Sequence, residues 1–278
     1  MMPPETSLAS GFLPVLTSLR IGFVSSPPLR LRPRSAWRAL AISGAIRRAR
    51  FSASSAPGNF EVMHNTKAGT LSVYLIRHGE TAWNAEQRIQ GSSDIPLSPS
   101  GEAQSHAVAE RLRVVPLEAV YASTMQRAVG TARIIASVHG LEVVTMAELR
   151  ETCLGQWEGM TDAEIVASGQ QETLKKYRED PVRYRPPGAE TLESVVDRIL
   201  AAISIIRRQH AEGAIAIVGH GGSLRAVLAN AIGVPPVPAM LGFRLENGSV
   251  SLVEYGPHRS WIRFANDTCH LQNAKART

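Results

Sequence analysis

The chain has 278 residues, of which 44% are hydrophobic and 19% are charged. This composition is typical of one large α/β domain or two small ones, and it excludes a disordered or collagen-like chain. Two cysteines are too few for a disulfide framework or a zinc cluster, and no apolar run reaches the ~18 residues that a membrane span needs. The net charge of +6 arises in residues 1–56, which carry eight arginines and one acid, whereas residues 57–278 carry 22 basic and 23 acidic residues. The positive charge therefore gives no support for nucleic-acid binding by the body of the chain.

The N-terminal segment, residues 1–56, has the composition of an organelle transit peptide, because it is rich in arginine and serine and almost free of acid. Residues 35–50 can form a basic amphipathic helix, and Arg50 precedes a plausible cleavage site at Ser52 by two residues, as in mitochondrial presequences. The serine and proline content suits a plastid signal equally well, so we expect import into a plastid or a mitochondrion, with the plastid slightly favoured. The alternatives are a disordered tail without an address, and a cytoplasmic form that starts at Met63.

From residue 71 onward, apolar strands alternate with helices. The sequence predicts strands at 71–76, 119–122, 142–145 and 214–218, and helices at 100–114 (capped by Ser98 or Ser100), 125–139, 161–167, 172–177, 191–210 and 223–232. An Asn247-Gly248 turn between residues 243–246 and 249–255 predicts a hairpin. We therefore expect an α/β fold of three layers, with a mostly parallel mixed sheet flanked by helices. The predicted organisation is a linker at 57–70, one domain at 71–265 and a tail at 266–278.

Two segments share the pattern of an apolar strand followed by His-Gly, namely LIRHGE at 75–80 and IVGHGG at 217–222. Ligands of open α/β sheets bind outside the carboxyl ends of the strands, where His78 and His220 would lie. Arg77 precedes His78, and Arg127 begins the helix that follows strand 119–122. Each residue alone is more often structural or solvated, but two arginines and two histidines at one sheet edge predict a site for a phosphoryl group.

Ordered blocks along the chain resemble the histidine phosphatase superfamily, in the branch related to cofactor-dependent phosphoglycerate mutase and, more narrowly, plant-type phosphoglycerate mutase-like phosphatases. These blocks are LIRHGETAWN (75–84), QGSSDIPLSPSGEAQ (90–104), YASTMQRAVGTA (121–132), LRETCLGQWEG (149–159), PPGAETLESV (186–195) and VGHGGSLRAVL (218–228). The resemblance extends from about Ser72 to Tyr255. It implies the phosphoglycerate mutase-like fold, which agrees with the alternation of strands and helices.

The resemblance also implies roles for individual residues. His78 would be the nucleophile that becomes a phosphohistidine, and Glu151 would donate a proton to the leaving oxygen. The phosphoryl oxygens would be held by Arg77, Arg127 and His220. Further contacts to the substrate would come from Thr81, Asn84, Gln90 and the backbone at Gly221.

Physical arguments support the two central roles. The attacking nitrogen of His78 must be neutral, and the nearby arginines disfavour its protonation. Glu151 suits a proton donor if its pKa is raised by burial or by the charge of the phosphate. The arginines supply positive charge, and the sequence has no His-x-His motif or clustered carboxylates, so we expect neither a metal nor a cofactor.

The preferred prediction is a metal-independent phosphatase acting on a small phosphorylated metabolite, with no nucleic-acid or membrane partner. Only 38 residues separate Glu151 from Glu190, whereas the mutases that the chain resembles carry a long insertion that closes over the site. A phosphoglycerate mutase is the second reading, and a non-catalytic phospho-ligand binding protein is the third. Arg183 and Arg185, near Lys175 and Lys176, could face an anionic substrate, although a solvated charged surface is the more common role. The identity of the phosphomonoester and the oligomeric state stay open.

Overall fold

The computed structural model describes residues 69–275, and the side chains of residues 69–272. Its centre is a six-stranded sheet of β1 (Leu71–Arg77), β2 (Leu117–Ser123), β3 (Val143–Met146), β4 (Gly213–Gly219), β5 (Val250–Tyr255) and β6 (Ser260–Asp267). The strand order is β3-β2-β4-β1-β5-β6. The first four strands pair in parallel, whereas β5 is antiparallel to both of its neighbours, β1 and β6. The predicted mostly parallel mixed sheet is confirmed.

Helices follow most of the strands. They are α1 (Ala82–Ala85), α2 (Pro99–Leu112), α3 (Gln126–Ser137), α4 (Asp162–Ala167), α5 (Gln171–Glu179), α6 (Leu192–Gln209), α7 (Gly221–Ala231), α8 (Pro236–Ala239) and α9 (Cys269–Lys275). Single 3₁₀ turns lie at Ala147–Leu149, Gly155–Trp157 and Met240–Gly242. The predicted helices are present with ends that differ by a few residues, and Ser98 is the residue that caps α2. The short helices α1 and α8, the C-terminal helix α9 and the strand β6 were not predicted.

The alternation of side chains along the central strands divides the core into two halves. In β1, Val73 and Leu75 pack with residues of α6 and α7, whereas Tyr74 and Ile76 pack with residues of α2 and α3. Each fully buried aliphatic side chain of this kind stabilises the fold by about 1.5–3 kcal/mol relative to an exposed one. The three predicted layers are therefore confirmed. Because β1, β2 and β4 are parallel, their carboxyl ends lie at the same edge of the sheet, and the loops that follow them start there.

The predicted hairpin around Asn247-Gly248 is wrong. Residues 243–246 form no strand, and β5 instead pairs with β1 on one side and with β6 on the other. The Asn-Gly pair is used for tertiary contacts, because the N–H of Gly248 donates to the carbonyl oxygens of Arg77 and His78. The turn residues Asn247-Gly248 therefore bind the end of β1 and do not connect two paired strands.

The folded domain extends past the predicted end at residue 265. Strand β6 ends at Asp267, and α9 follows and contacts α2. Among residues 69–275, no helix is both long and apolar enough to cross a membrane. The predicted transit peptide and nearly all of the predicted linker lie outside the described residues, so import into an organelle stays a prediction.

A close contact between two glycines fixes the loop after β1 against α2. A Cβ atom at Gly79 would lie 2.2 Å from the Gly101 carbonyl oxygen, and one at Gly101 would lie 1.9 Å from the Glu80 carbonyl oxygen. The N–H of Ser98 also donates to the Glu80 carbonyl at 2.9 Å. Backbone is thus packed directly on backbone, and the His-Gly loop is held in place by the first turn of α2.

We expect Gly101→Ala to destabilise the domain. Alanine favours helix over glycine by up to about 1 kcal/mol, but the backbone that meets the new methyl group cannot move aside as a side chain would, so overpacking of about 1–3 kcal/mol should prevail. The free energy of unfolding in urea measures the difference. Gly242→Ala is the matched control, since a Cβ there meets nothing within 4 Å. Equal stability of the two variants would contradict the close contact.

Candidate active site

The ends of two parallel strands bring the predicted histidines together. Arg77 is in register with Gly219, and the N–H of His78 donates to the Gly219 carbonyl at 3.0 Å. His78 and His220, each the first residue after its strand, therefore lie side by side with ring centroids 5.0 Å apart. Both rings are buried, with 3% and 0% of their residue surface exposed.

The hydrogen bonds of His78 assign its tautomer. Its Nδ1 lies 2.7 Å from the carbonyl oxygen of Gly79, which can only accept, so Nδ1 carries the proton. The lone pair is therefore on Nε2, which accepts a hydrogen bond from Nε of Arg127 at 3.2 Å. Burial, followed by the charges of His220, Arg77 and Arg127, holds the pKa of His78 well below its ordinary value of 6.5. His78, the predicted nucleophile, is thus neutral, and its lone pair is on Nε2.

Backbone carbonyls orient the guanidinium of Arg127. Its Nη1 donates to the Ser93 carbonyl at 2.7 Å, and its Nη2 donates to the Gly91 carbonyl at 2.9 Å. The side chain is buried, and burial lowers its pKa from 12.5. The loop at residues 91–93 therefore sets the direction in which Arg127 faces His78.

Glu158 anchors the loop at residues 91–93. Its carboxylate accepts hydrogen bonds from the N–H and hydroxyl of Ser92, the hydroxyl of Ser93 and the N–H of Leu154, at 2.7–3.1 Å. Gly91 has φ +53°, and a Cβ there would lie 2.2 Å from the Glu158 carboxylate. Glu158 thus joins the loop that holds Arg127 to the segment that carries Glu151.

Several buried polar atoms around His78 have no hydrogen-bond partner within the described part of the chain. They include Nε of Arg77, both ring nitrogens of His220 and Oε1 of Gln90. The other end of Arg77 is fixed, because its Nη1 donates to the Leu245 carbonyl. Buried polar groups are rarely left unpaired, so these atoms are arranged for a ligand that supplies the missing partners. Gly221 lies against the same arginine, since a Cβ there would be 3.7 Å from Nε of Arg77.

Glu151 is hydrogen-bonded as a carboxylate. Its Oε2 accepts from the N–H of Gly222 in the first turn of α7, and its Oε1 accepts from the N–H of Thr152, both at 2.9 Å. Desolvation raises the pKa of Glu151, but these two hydrogen bonds together with the charges of Arg225 and Arg127 outweigh it, so the net pKa lies below 4.5. The first of the two conditions stated for a proton donor, a net pKa raised by burial, is therefore not met in the free protein. The effect of phosphate charge stays a prediction.

Arg198, on the inner side of α6, fixes the segment that precedes Glu151. Its guanidinium donates to the carbonyl oxygens of Glu148 and Arg150 at 2.7 and 2.6 Å, and to that of Glu151 at 3.1 Å. It also forms an ion pair of 2.8 Å with Glu190. Arg198 was missed at the sequence level, although it lies three residues after Val195 and four before Ala202, both on the buried face of α6. A charged residue at a position that belongs to the buried face of a helix is a sequence signal that could have identified Arg198.

Asn84 is oriented by two neighbours. Its Oδ1 accepts from the N–H of Thr81 and from Nδ2 of Asn247, both at 3.1 Å, which leaves the Asn84 NH₂ group for a ligand. The Asn247 amide also donates to the His78 carbonyl at 3.1 Å. Thr81 is fully buried and caps α1, so it supports the site from behind.

These groups surround a cavity of about 360 Å³ that opens to solvent. The predicted site residues that line it are Arg77, His78, Asn84, Gln90, Arg127 and Glu151. His220, Thr81 and Gly221 are not among the lining residues, but His220 and Gly221 adjoin them, at His78 and Arg77 respectively. Further lining residues that the sequence did not single out include Arg88, Tyr177, Arg178 and Arg225. Within residues 69–272, no group of three or more His, Cys, Asp or Glu side chains is placed to hold a metal ion.

Comparison with known proteins matches residues 73–268 to the model of the histidine phosphatase superfamily (branch 1). A curated relative named "Probable phosphoglycerate mutase GpmB", from Enterobacter sp. (strain 638), is 36% identical over an alignment of 211 residues, and the match covers 72% of this chain and 95% of the relative.

Solved structures are similar to this chain as well. Bacillus stearothermophilus YhfR is 31% identical, with a TM-score of 0.67 over 72% of this chain and 99% of its own. The mycobacterial glucosyl-3-phosphoglycerate phosphatase is 27% identical, with a TM-score of 0.64 over 72% of this chain and 100% of its own.

The buried histidines predict how stability depends on pH. Burial, then the charges of Arg127 and Arg77, lowers the pKa of His220 well below 6.5, so below pH 6.5 the unfolded chain binds a proton that the folded state excludes. The folded state therefore loses stability as the pH falls below 6.5. Replacing His220 by glutamine should reduce the loss between pH 6.5 and 5.0 by up to about 2 kcal/mol. Urea unfolding at a series of pH values measures both slopes, and equal slopes would contradict a buried neutral His220.

Glu158→Ala should lower kcat without abolishing folding, because it releases the loop that orients Arg127. A displacement of about 1 Å in such a group can reduce the rate on the order of 100-fold. Steady-state kinetics on an aryl phosphate measure kcat, and Glu142→Ala, at an exposed position, is the matched control. A Glu158→Ala enzyme with wild-type kcat would show that the loop is held without this carboxylate.

Proposed function

The chain belongs to the histidine phosphatase superfamily, and we propose that it is a metal-independent phosphatase that hydrolyses a small phosphomonoester through a phosphohistidine at His78. The observation that carries this proposal is the neutral His78 with its lone pair on Nε2, placed in an open cavity beside Arg77 and Arg127. A nucleophile and positive charge for the phosphoryl oxygens are thereby combined in one place.

In the first step, Nε2 of His78 attacks phosphorus and the bond to the alcohol oxygen of the substrate breaks. Before the attack, the Nε–H of Arg127, which donates to Nε2 in the free protein, transfers its hydrogen bond to a phosphoryl oxygen and so frees the lone pair of Nε2. Nε of Arg77 and a ring N–H of His220, both without partners in the described residues, donate to other oxygens of the same group. In the second step, water attacks the phosphohistidine and inorganic phosphate leaves.

Glu151 moves the proton in both steps, first to the leaving alcohol and then from the attacking water. Because its pKa lies below 4.5 in the free protein, it must take up a proton when the substrate binds. A phosphate dianion beside the carboxylate disfavours the ionised form and raises the pKa of Glu151. Binding of the substrate and protonation of Glu151 are then coupled, so Glu151 carries its proton only while the substrate is bound.

Hydrolysis is favoured over mutase activity by the access of water. The cavity opens to solvent, and the segment between Glu151 and Glu190 contains only the 3₁₀ turn at Gly155–Trp157 and the short helices α4 and α5. These elements pack together through Trp157, Ile165 and Leu174. The solved structure titled as a glucosyl-3-phosphoglycerate phosphatase supports a phosphatase as well. A phosphoglycerate mutase is the second candidate, because the curated relative at 36% identity carries that name.

Phosphoryl trapping tests this function. Acid-labile, base-stable label from a ³²P-labelled phosphomonoester should appear on the wild-type protein and be absent from His78→Ala, with chelator leaving the rate unchanged. A coupled assay for 2-phosphoglycerate formed from 3-phosphoglycerate distinguishes a mutase from a phosphatase. Label retained by His78→Ala, or a rate that falls with chelator and returns with magnesium, would overturn the proposal.

Glu151→Gln should affect substrates in proportion to their leaving groups. An alkoxide needs a proton to leave, whereas an activated aryl oxide does not, so kcat/KM should fall at least about 100-fold for an alkyl phosphate and much less for p-nitrophenyl phosphate. The ratio of the two losses is the measurement. Equal losses would mean that Glu151 positions the substrate and donates no proton.

A further inference from the structure

A second cavity, of about 450 Å³, adjoins the active-site cavity. Arg185 and Ala189 line both cavities, so the two share a wall. The remaining lining of the second cavity includes Lys176, Arg183 and Tyr184. The second cavity is thus the neighbour of the first, and its lining is basic.

The positive charges of this second cavity are concentrated without acidic partners. Nζ of Lys176 and the guanidinium carbon of Arg183 both lie 5.7 Å from the centre of the Tyr184 ring. Within residues 69–272, no carboxylate forms an ion pair with Lys176, Arg183 or Arg185. The neighbouring Asp180 accepts from the backbone N–H of Arg183. Like charges gathered at one ring repel each other, and an anion bound among them relieves that repulsion.

The segment that carries Arg183 and Arg185 is fixed to the catalytic loop. The N–H of Gln156 donates to the Pro187 carbonyl, and the N–H of Glu190 donates to the Cys153 carbonyl, both at 3.0 Å. A Cβ at Gly155 would lie 2.2 Å from the Pro187 carbonyl oxygen, so the two backbones are in direct contact. The backbone that carries Arg183 and Arg185 is therefore held close to the segment of Glu151, although the two side chains themselves are exposed.

We propose that the cavity of Lys176, Arg183 and Arg185 is a subsite for a second anionic group on the substrate. The substrate is then a phosphomonoester whose alcohol part carries a phosphate or a carboxylate at its far end. This inference rests on the proposed function, since it needs the first phosphoryl group at His78. The distal anion contributes binding and takes no part in the chemistry.

A series of substrates of graded length tests the subsite. Alkyl monophosphates of three to eight carbons are compared with a terminal phosphate, a terminal carboxylate or a terminal hydroxyl group. At the length that spans the two cavities, a terminal anion should lower KM about tenfold relative to the hydroxyl, as expected for one charge-assisted contact, and added salt should reduce this advantage. The comparison of phosphate with carboxylate identifies which anion the subsite prefers.

The double variant Lys176→Ala/Arg183→Ala should lose the tenfold advantage while its kinetics on the hydroxyl series stay as in the wild type. Arg259→Ala is the matched control, because Arg259 also stacks on an aromatic ring, that of Trp261, on the exposed turn between β5 and β6. An advantage that persists in the double variant, or no advantage at any length, would overturn the subsite.

Calorimetry with His78→Ala separates this inference from the proposed function. Binding of the same bisphosphates and hydroxyalkyl phosphates to that variant measures the subsite without turnover. If the wild type hydrolyses none of the esters but the anionic tail still tightens binding about tenfold, the proposed function fails and the subsite stands. Equal binding of both series would reject the subsite even if the esters are hydrolysed.

Discussion

The site depends on keeping the ring of His78 neutral and correctly aimed inside a group of cations. The parallel pairing of β1 with β4 places the ring beside His220, and the Gly79 carbonyl fixes the proton on Nδ1. Burial and the surrounding positive charges then prevent protonation of Nε2. In the proposed mechanism these same charges stabilise the phosphoryl oxygens, so one arrangement would both prepare the nucleophile and bind the group that it attacks.

Burying arginine in this way costs free energy, and the loops offset that cost with backbone carbonyls. Arg127 donates to Gly91 and Ser93, and Arg198 donates to the segment that leads to Glu151. A hydrogen bond to a charged group contributes about 1.5–3 kcal/mol, and removing its partner would leave a buried charge unsatisfied. The loops around the cavity are thus positioned by two charged side chains: Arg127, which lines the cavity and also faces His78, and Arg198, which does not line it. In the proposed mechanism, the ionised Glu151 of the free protein supplies a counter-charge that the phosphate of the substrate replaces.

Much of this arrangement could be predicted from the sequence. The strands at residues 71–76 and 214–218 are continuous apolar runs, and the His-Gly pairs that end them identify the sheet edge on which His78 and His220 meet. The predicted hairpin failed because an Asn-Gly turn is a local signal, whereas Gly248 makes its hydrogen bonds with Arg77 and His78 far along the chain. The role of Glu158 could not be predicted either, because a single glutamate in a loop forms no sequence pattern. Its four hydrogen-bond donors come together only in the folded state. The direction in which the pKa of Glu151 shifts could not be predicted from the sequence either, because it depends on which backbone N–H groups face the carboxylate.

The tautomer and charge of His78 are the central claim, and they are directly measurable. Protein labelled with ¹⁵N in its histidine rings, compared with a His78→Gln variant to assign the signals, reports by NMR which ring nitrogen carries a proton. The account predicts that at pH 6 His78 is neutral, with the proton on Nδ1 and none on Nε2. A doubly protonated ring at that pH, or a proton on Nε2, would contradict it.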